Sequence, residues 1–184
     1  MNIPIDANIA HLVRIDPPTE GLAPEPDYAQ LEQTEIRGVA PGKYRIRAGA
    51  GSCTESIASG AVDLLQEDLV IADGGRPPAI HLTRYSMCPT LGGTVHSESG
   101  DSQGVVLVIS DSDRIEPEVR PIYEGRFGDI SLRPGTYHIY AFDSLNGLEY
   151  ANLEALREYP GQTIRIDQDQ HAAVSLELIR RRSH

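Results

Sequence analysis

Two stretches of the chain alternate between apolar and polar positions in step with each other. Residues 39–48, VAPGKYRIRA, and residues 132–141, LRPGTYHIYA, both read apolar-x-Pro-Gly-x-Tyr-x-Ile-x-Ala. A period of two is the signature of a strand. In the later copy Tyr137, Ile139 and Ala141 are expected on one face, with His138, Tyr140 and Phe142 on the other. Pro41 aligns with Pro134 and Tyr44 with Tyr137, an offset of 93. The correspondence continues on both sides. IAHLVRIDP (9–17) parallels VVLVISDSD (105–113), and residues 69–84 parallel 163–180. Each of these last two segments shows two alternating runs about a polar turn, which predicts a β-hairpin.

A repeat of this length is one small domain rather than a solenoid unit. The pattern therefore predicts an all-β protein of two tandem β-domains, each a sandwich or a barrel, 1–86 and 87–184, with the boundary near 86–90. Strands are expected in the second copy at 91–97, 104–110, 126–132, 136–142, 162–167 and 172–179. A short helix is expected at 150–158, where Leu153 and Leu156 are three apart and Asn152 can cap the start. The second copy opens with LGGTVHSESG (91–100), whereas the first has about eight residues before its equivalent of VVLVIS. Either MNIPI is a short substitute, or the first sandwich lacks its initial strand. A missing strand leaves an open edge that is explained by a chain cut from a longer protein, or that accepts a strand from a partner.

The Pro-Gly-x-Tyr corner has an architectural reading. Proline fixes φ, glycine at the next position can take φ > 0, and together they reverse the chain. The tyrosine ring then enters the core while its hydroxyl bonds nearby backbone, as in the tyrosine corner of Greek-key sandwiches. Pro41, Gly42, Tyr44, Pro134, Gly135 and Tyr137 are expected to be structural.

Composition narrows the function classes. The net charge of −11 disfavours nucleic acid and anionic lipid as partners. No window approaches a membrane span, and the N-terminus lacks the charged and apolar regions of a signal peptide. Lys43 is the only lysine, and it is read as lying in a turn. That disfavours the lysine–asparagine isopeptide chemistry of adhesin sandwiches.

The order of pieces resembles the carboxypeptidase regulatory-like domains, also described as transthyretin-like or prealbumin-like β-sandwiches. The resemblance runs over about residues 8–180. It rests on Gly93-Thr94-Val95, the Val105–Val108 run, Gly125-Arg126-Phe127 and Arg133-Pro134-Gly135-Thr136-Tyr137. Glu124 stands where Asp usually precedes that Gly, and the first copy has EQTEIRG there, with neither the Gly nor the Phe. The resemblance implies two tandem Greek-key, immunoglobulin-like β-sandwiches, modules of a large secreted bacterial protein located outside the cell, in the periplasm or on the cell surface.

Catalytic and metal motifs are scarce. None of His11, His81, His96 or His138 begins His-x-x-Glu, so zinc-peptidase spacing is missing. There is no Gly-x-Ser-x-Gly elbow, and GAGSC (49–53) lacks the Lys-Ser/Thr of a phosphate loop. Cys53 is either a free thiol or paired with Cys88, in which case the bridge staples the linker to the first sandwich. Asp111, Asp113, Asp167 and Asp169 alternate at turns and are the candidate calcium ligands, against the plainer reading of solvated turns. No cofactor is required. The expected function is a non-catalytic module, a spacer or protein-interaction domain. The alternative is a carbohydrate-binding module using Tyr140, Phe142 and Tyr150, with Tyr123 and Tyr159 nearby. The expected partners are a protein or glycan at the cell surface.

Overall fold

Two buried tyrosines, 93 positions apart, organise the fold. The computed structural model describes residues 3–5, 10–16, 34–36, 39–49, 53–75, 78–98, 100, 103–112, 114–150 and 152–181. Almost every element in it is a strand, as an all-β sandwich requires. The chain divides into two compact units, Met1–Gly49 with Thr54–Tyr85, and Ala50–Cys53 with Ser86–His184.

In the first unit, β1 (Ile3–Ile5), β2 (Ala10–Asp16), β3 (Thr34–Ile36), β4 (Gly42–Gly49), β5 (Thr54–Ser59), β6 (Val62–Asp63), β7 (Leu69–Ile71) and β8 (Ile80–Arg84) form two sheets. One runs β3-β1-β8-β5-β6, and the other pairs β4 with β2 and β7. Tyr44, Ile46 and Ala48 on β4 are buried, together with Leu69, Ile71, Ile57 and Ile80.

The second unit contains β9 (Thr90–His96), β10 (Gly104–Ser110), β11 (Ile115–Glu116), β12 (Glu118–Ile122), β13 (Arg126–Ser131), β14 (Gly135–Phe142), α1 (Leu153–Leu156), β15 (Gln162–Ile166) and β16 (His171–Ile179). One run is β12-β10-β14-β15 and another is β13-β9-β16. They join where Leu178 and Ile179 of β16 pair with Ala141 and Phe142 of β14. β12 was not expected from the sequence because it contains Pro121. As the outermost strand it can carry a proline without breaking the sheet interior.

The two units repeat the same pairings. Leu12 lies opposite Ile46, as Val108 lies opposite Ile139. Leu69 lies opposite Tyr44, as Ile164 lies opposite Tyr137. β8 runs parallel to β1, as β16 runs parallel to β9. Three sequence expectations are corrected here. The initial strand of the first unit is present as β1, three residues long, between β3 and β8. It lies within MNIPI and is interior to its sheet, so the short-substitute alternative holds and the missing-strand alternative, with its open edge, does not. Residues 69–84 and 163–180 are not hairpins: β7 and β15 pair with β4 and β14, whereas β8 pairs with β1 and β5 and β16 pairs with β9. A polar turn between two alternating runs fits a hairpin and a crossing between layers equally well, and only the partners distinguish them. Lys43 lies on β4 rather than in a turn, and its ammonium pairs with Asp68 at 3.1 Å.

Both tyrosine hydroxyls donate to the carbonyl four residues earlier, Tyr44 to Ala40 and Tyr137 to Arg133, each at 2.8 Å. Gly42 and Gly135 open their strands at φ 153° and 159°, positive as expected, directly after the bend at the proline. Tyr44→Phe and Tyr137→Phe each remove one buried hydrogen bond. Each is expected to cost about 1 kcal/mol, with the two losses equal within error in urea unfolding. A large loss for one and none for the other would contradict the equivalence of the corners.

The units diverge between the strands that carry these tyrosines and their next partners. After β4 the chain forms the β5–β6 hairpin, which extends the sheet beside β8. After β14 the equivalent stretch forms α1, capped by Asn152, whose side chain accepts from the Glu154 N–H at 3.1 Å. The helix is shorter than the predicted 150–158. Its Leu156 is buried with Leu107, Ile109, Tyr140 and Phe142. β14 is consequently buried on both faces.

Candidate functional site

The sequence-derived ligand face is part of this second core. Tyr140 and Phe142 are 5% and 0% exposed, with Phe142 set edge-on to Tyr159 at 5.2 Å between ring centroids. Burial pushes the Tyr140 phenol above the usual tyrosine range. An added Cβ at Gly161 would overlap the Tyr140 ring, so the chain closes on that ring at a glycine. The sugar platform of Tyr140, Phe142 and Tyr150 is therefore corrected: alternation placed two of these rings on the solvent side of β14, and the 143–161 segment covers them. Of the tyrosines in that set, Tyr123 is the most exposed, at the β12–β13 turn.

The calcium candidates are likewise not assembled. Asp113 lies outside the described residues. Asp111 accepts from His138 Nε2 at 2.6 Å, and His138 Nδ1 meets Thr163 Oγ1 at 3.0 Å. Asp167 faces Arg165 at 3.3 Å, and Asp169 adopts φ 61° in the β15–β16 turn. Among the described residues no group of three or more His, Cys, Asp or Glu is arranged to hold a metal. The Asp111–His138–Thr163 row has the residue types of a relay. His138 and Thr163 are direct cross-strand partners, so their meeting follows from register alone. His138 and His171 both hold cross-strand hydroxyls through exposed hydrogen bonds.

Cys53 and Cys88 form a disulfide with Cα atoms 5.8 Å apart. Both fall in stretches grouped with the second unit, and the loop between them carries β5 to β8 of the first. The corner residues Pro41, Tyr44, Pro134 and Tyr137 lie at the starts of β4 and β14, away from any assembled chemistry.

A surface that the sequence reading did not pick out lies on the outer face of β13, β9 and β16. It is an open trough of about 970 Å³. Its floor follows from the register of β9 against β16, which gives three rungs: Thr90 with His171, Gly92 with Ala173, and Thr94 with Ser175. The outer rungs are hydrogen-bonded, Thr90 Oγ1 to His171 Nδ1 at 2.7 Å and Thr94 Oγ1 to Ser175 Oγ at 3.5 Å. The middle rung carries a single methyl group, which makes the dip. On the β13 side Asp129 lies over Gly92, where a Cβ would collide with its carboxylate. Gly93 faces the other way, and a Cβ there would press within 3.0 Å of the Phe127 ring. The adjacent glycines thus serve two close approaches, one on each face.

Tyr123 and Arg126 form the far wall. They flank a two-residue turn closed by reciprocal backbone bonds of 2.8 and 2.9 Å, with Glu124 and Gly125 at φ 51° and 70°. Two positive φ values define a type I′ hairpin turn, and Asp or Asn tolerates the first position better than Glu. The departure at Glu124 leaves the turn intact at the cost of some backbone strain.

The comparisons with known proteins leave the family open. No protein-family model matches the chain, and no curated protein matches it. Among solved structures, a streptococcal ancillary pilin aligns at 10% identity with a TM-score of 0.35, covering 96% of this chain and 68% of that one. The signal for the trough was present in the sequence as small and polar residues at alternate positions 90, 92, 94 and 171, 173, 175. Only the pairing of distant strands makes them one surface.

Proposed function

We propose that the chain is a non-catalytic interaction module of a larger secreted or cell-surface protein, built from two carboxypeptidase regulatory-like sandwiches, and that it binds a protein partner on the outer face of β13, β9 and β16. The observation that carries this reading is the trough itself. Its floor is hydrogen-bonded strand rather than loop, so it is pre-organised and loses little entropy on binding. The disulfide supports an oxidising compartment. No helix among the described residues is long and apolar enough to cross a membrane. The glycan alternative is favoured only by Tyr123, 73% exposed beside Arg126, since sugars stack on exposed rings. The test presents the full chain to immobilised peptide and glycan arrays, alongside panels of peptide and ester substrates. Peptide capture without turnover is the expected result. Hydrolysis of any substrate overturns the non-catalytic reading, and glycan capture lost in Tyr123→Ala transfers the function to sugar binding.

A further inference from the structure

The duplication supplies an internal comparison for one strand edge. In the first unit β8 is flanked on one side by β1, in parallel, and on the other by β5, antiparallel over Thr54–Ser59. In the second unit β16 is flanked by β9, in parallel, over seven consecutive pairs from His171 to Glu177. Its other side meets β14 only at Leu178 and Ile179. Along His171–Leu176 no described strand takes the place that β5 takes on β8, because the corresponding stretch of chain forms α1 instead.

The direction of the free groups follows from the ladder. The Gln170 carbonyl accepts from Thr90 N–H, so in the parallel pattern residues 172, 174 and 176 face β9 while 171, 173 and 175 face outward. The Ser175 carbonyl is met by the side-chain amide of Gln162, which confirms the direction and covers one position with a side chain. Ala172 and Val174 are half-buried, whereas Leu91 and Val95 on the neighbouring β9 are fully buried.

The other edges of the second unit are guarded. β12 carries Pro121 and a Glu118–Arg120 ion pair at 2.9 Å. β13 carries Arg126, Asp129 and a register break between Phe127 and Ile130. β15 is five residues long with Arg165 near its end. Residues 171–176, HAAVSL, contain no proline, no Lys, Arg, Asp or Glu, and no break in register. Proteins protect exposed edges with such features, and their absence marks an edge that takes a strand.

We propose that the β16 edge is a strand-acceptor site, and that its occupant is an extended segment of the partner protein. The segment runs antiparallel to β16 as β5 runs on β8. It places apolar side chains at alternate positions over Ala172 and Val174, and its other row lies beside the trough floor at His171 and Ala173. Basic residues just outside its ends face the exposed Asp169 and Glu177. This rests on the interaction-module reading and names the partner of the same face.

The probe is the peptide Ac-KTESIASK-amide, which is the β5 sequence with lysine at each end, added to the full chain carrying an ¹⁵N label. In the free chain the Ala173 amide is expected to exchange with solvent rapidly. The peptide is expected to bind saturably, slow that exchange at least tenfold, and shift the trough amides. Ala173→Pro removes an outward N–H without touching the β9 ladder, and Ala173→Lys adds a gatekeeper charge. Each is expected to weaken binding at least tenfold with an unchanged unfolding midpoint. Slow Ala173 exchange in the free chain, peptide binding unaffected by both variants, or no protection at millimolar peptide overturns the proposal. Self-association of the chain that is abolished by Ala173→Pro overturns it in favour of a second copy as occupant. Trough shifts without protection along β16 overturn strand addition and leave the module reading standing, whereas cleavage of the peptide overturns the module reading itself.

Discussion

Reduction of the Cys53–Cys88 bridge is expected to lower the unfolding free energy by about 4 kcal/mol. The cysteines are 35 residues apart, and the loop they close contains β5 to β8. In the unfolded chain the bridge forbids most arrangements of that loop, and the logarithmic dependence on loop length gives the stated magnitude. In the folded chain Cys53 is 3% exposed and holds φ 51°, a conformation uncommon for any residue but glycine. Release of the bond therefore frees the unfolded ensemble and removes a constraint that holds a strained position. Urea titration with and without a phosphine reductant measures this. The midpoint should fall, and the slope should rise as the unfolded chain expands. An unchanged midpoint would show that the loop gains no freedom when the bond is cut. The same measurement bears on the compartment, because a protein that loses this much stability on reduction is poorly suited to a reducing cytoplasm.

Phe142→Ala is expected to cost about 3–5 kcal/mol. Phe142 is fully buried and stacks near Tyr140, with ring centroids 5.9 Å apart, while Tyr159 meets it edge-on. Leu107, Ile109 and Leu156 complete the cluster. Its counterpart by the 93-residue offset is Gly49, so the first unit has no side chain at this position. The outward residues of β4 are instead Lys43, Arg45 and Arg47, and Asp68 takes ion pairs from the first two at 3.1 and 3.4 Å. The contrast gives a specific pattern. Phe142→Ala should accelerate amide exchange in α1 and around Tyr159 before the sheet itself opens, because the 143–161 segment is held to β14 mainly by this apolar cluster. Arg47→Ala, on the equivalent face of the first unit, should leave those amides unchanged. A loss below 1 kcal/mol for Phe142→Ala, with α1 protection intact, would mean that the cluster does not hold the segment.

The elements that sequence periodicity located best were those whose pattern is imposed by burial on one face. Tyr44, Ile46 and Ala48 alternate with charged residues, and β4 follows directly. The alignment of the copies matched Leu12 with Val108 and Ile46 with Ile139, and the structure then pairs Leu12 with Ile46 and Val108 with Ile139. β14 misled on one point for a physical reason. Burial on both faces makes alternation uninformative about which side is wet, so Tyr140 and Phe142 read as a platform. β12 was hidden by Pro121, and β5 and β6 by having no counterpart strand in the second copy. The trough was beyond reach because its rungs join residues about 81 positions apart, as Thr90 with His171 shows.

The sequence by itself determined that this is an all-β chain written twice, with a tyrosine corner in each copy, because alternation and Pro-Gly-x-Tyr are local signals carried by neighbouring residues. Only the tertiary structure decided that the segment carrying α1 covers β14 rather than extends the sheet, that the first unit keeps a three-residue opening strand, and that no described strand lies along the other side of His171–Leu176. Those outcomes depend on which distant strand occupies each side of a ladder. Backbone N–H and C=O groups are the same in every residue, so the sequence around one strand does not name its partner.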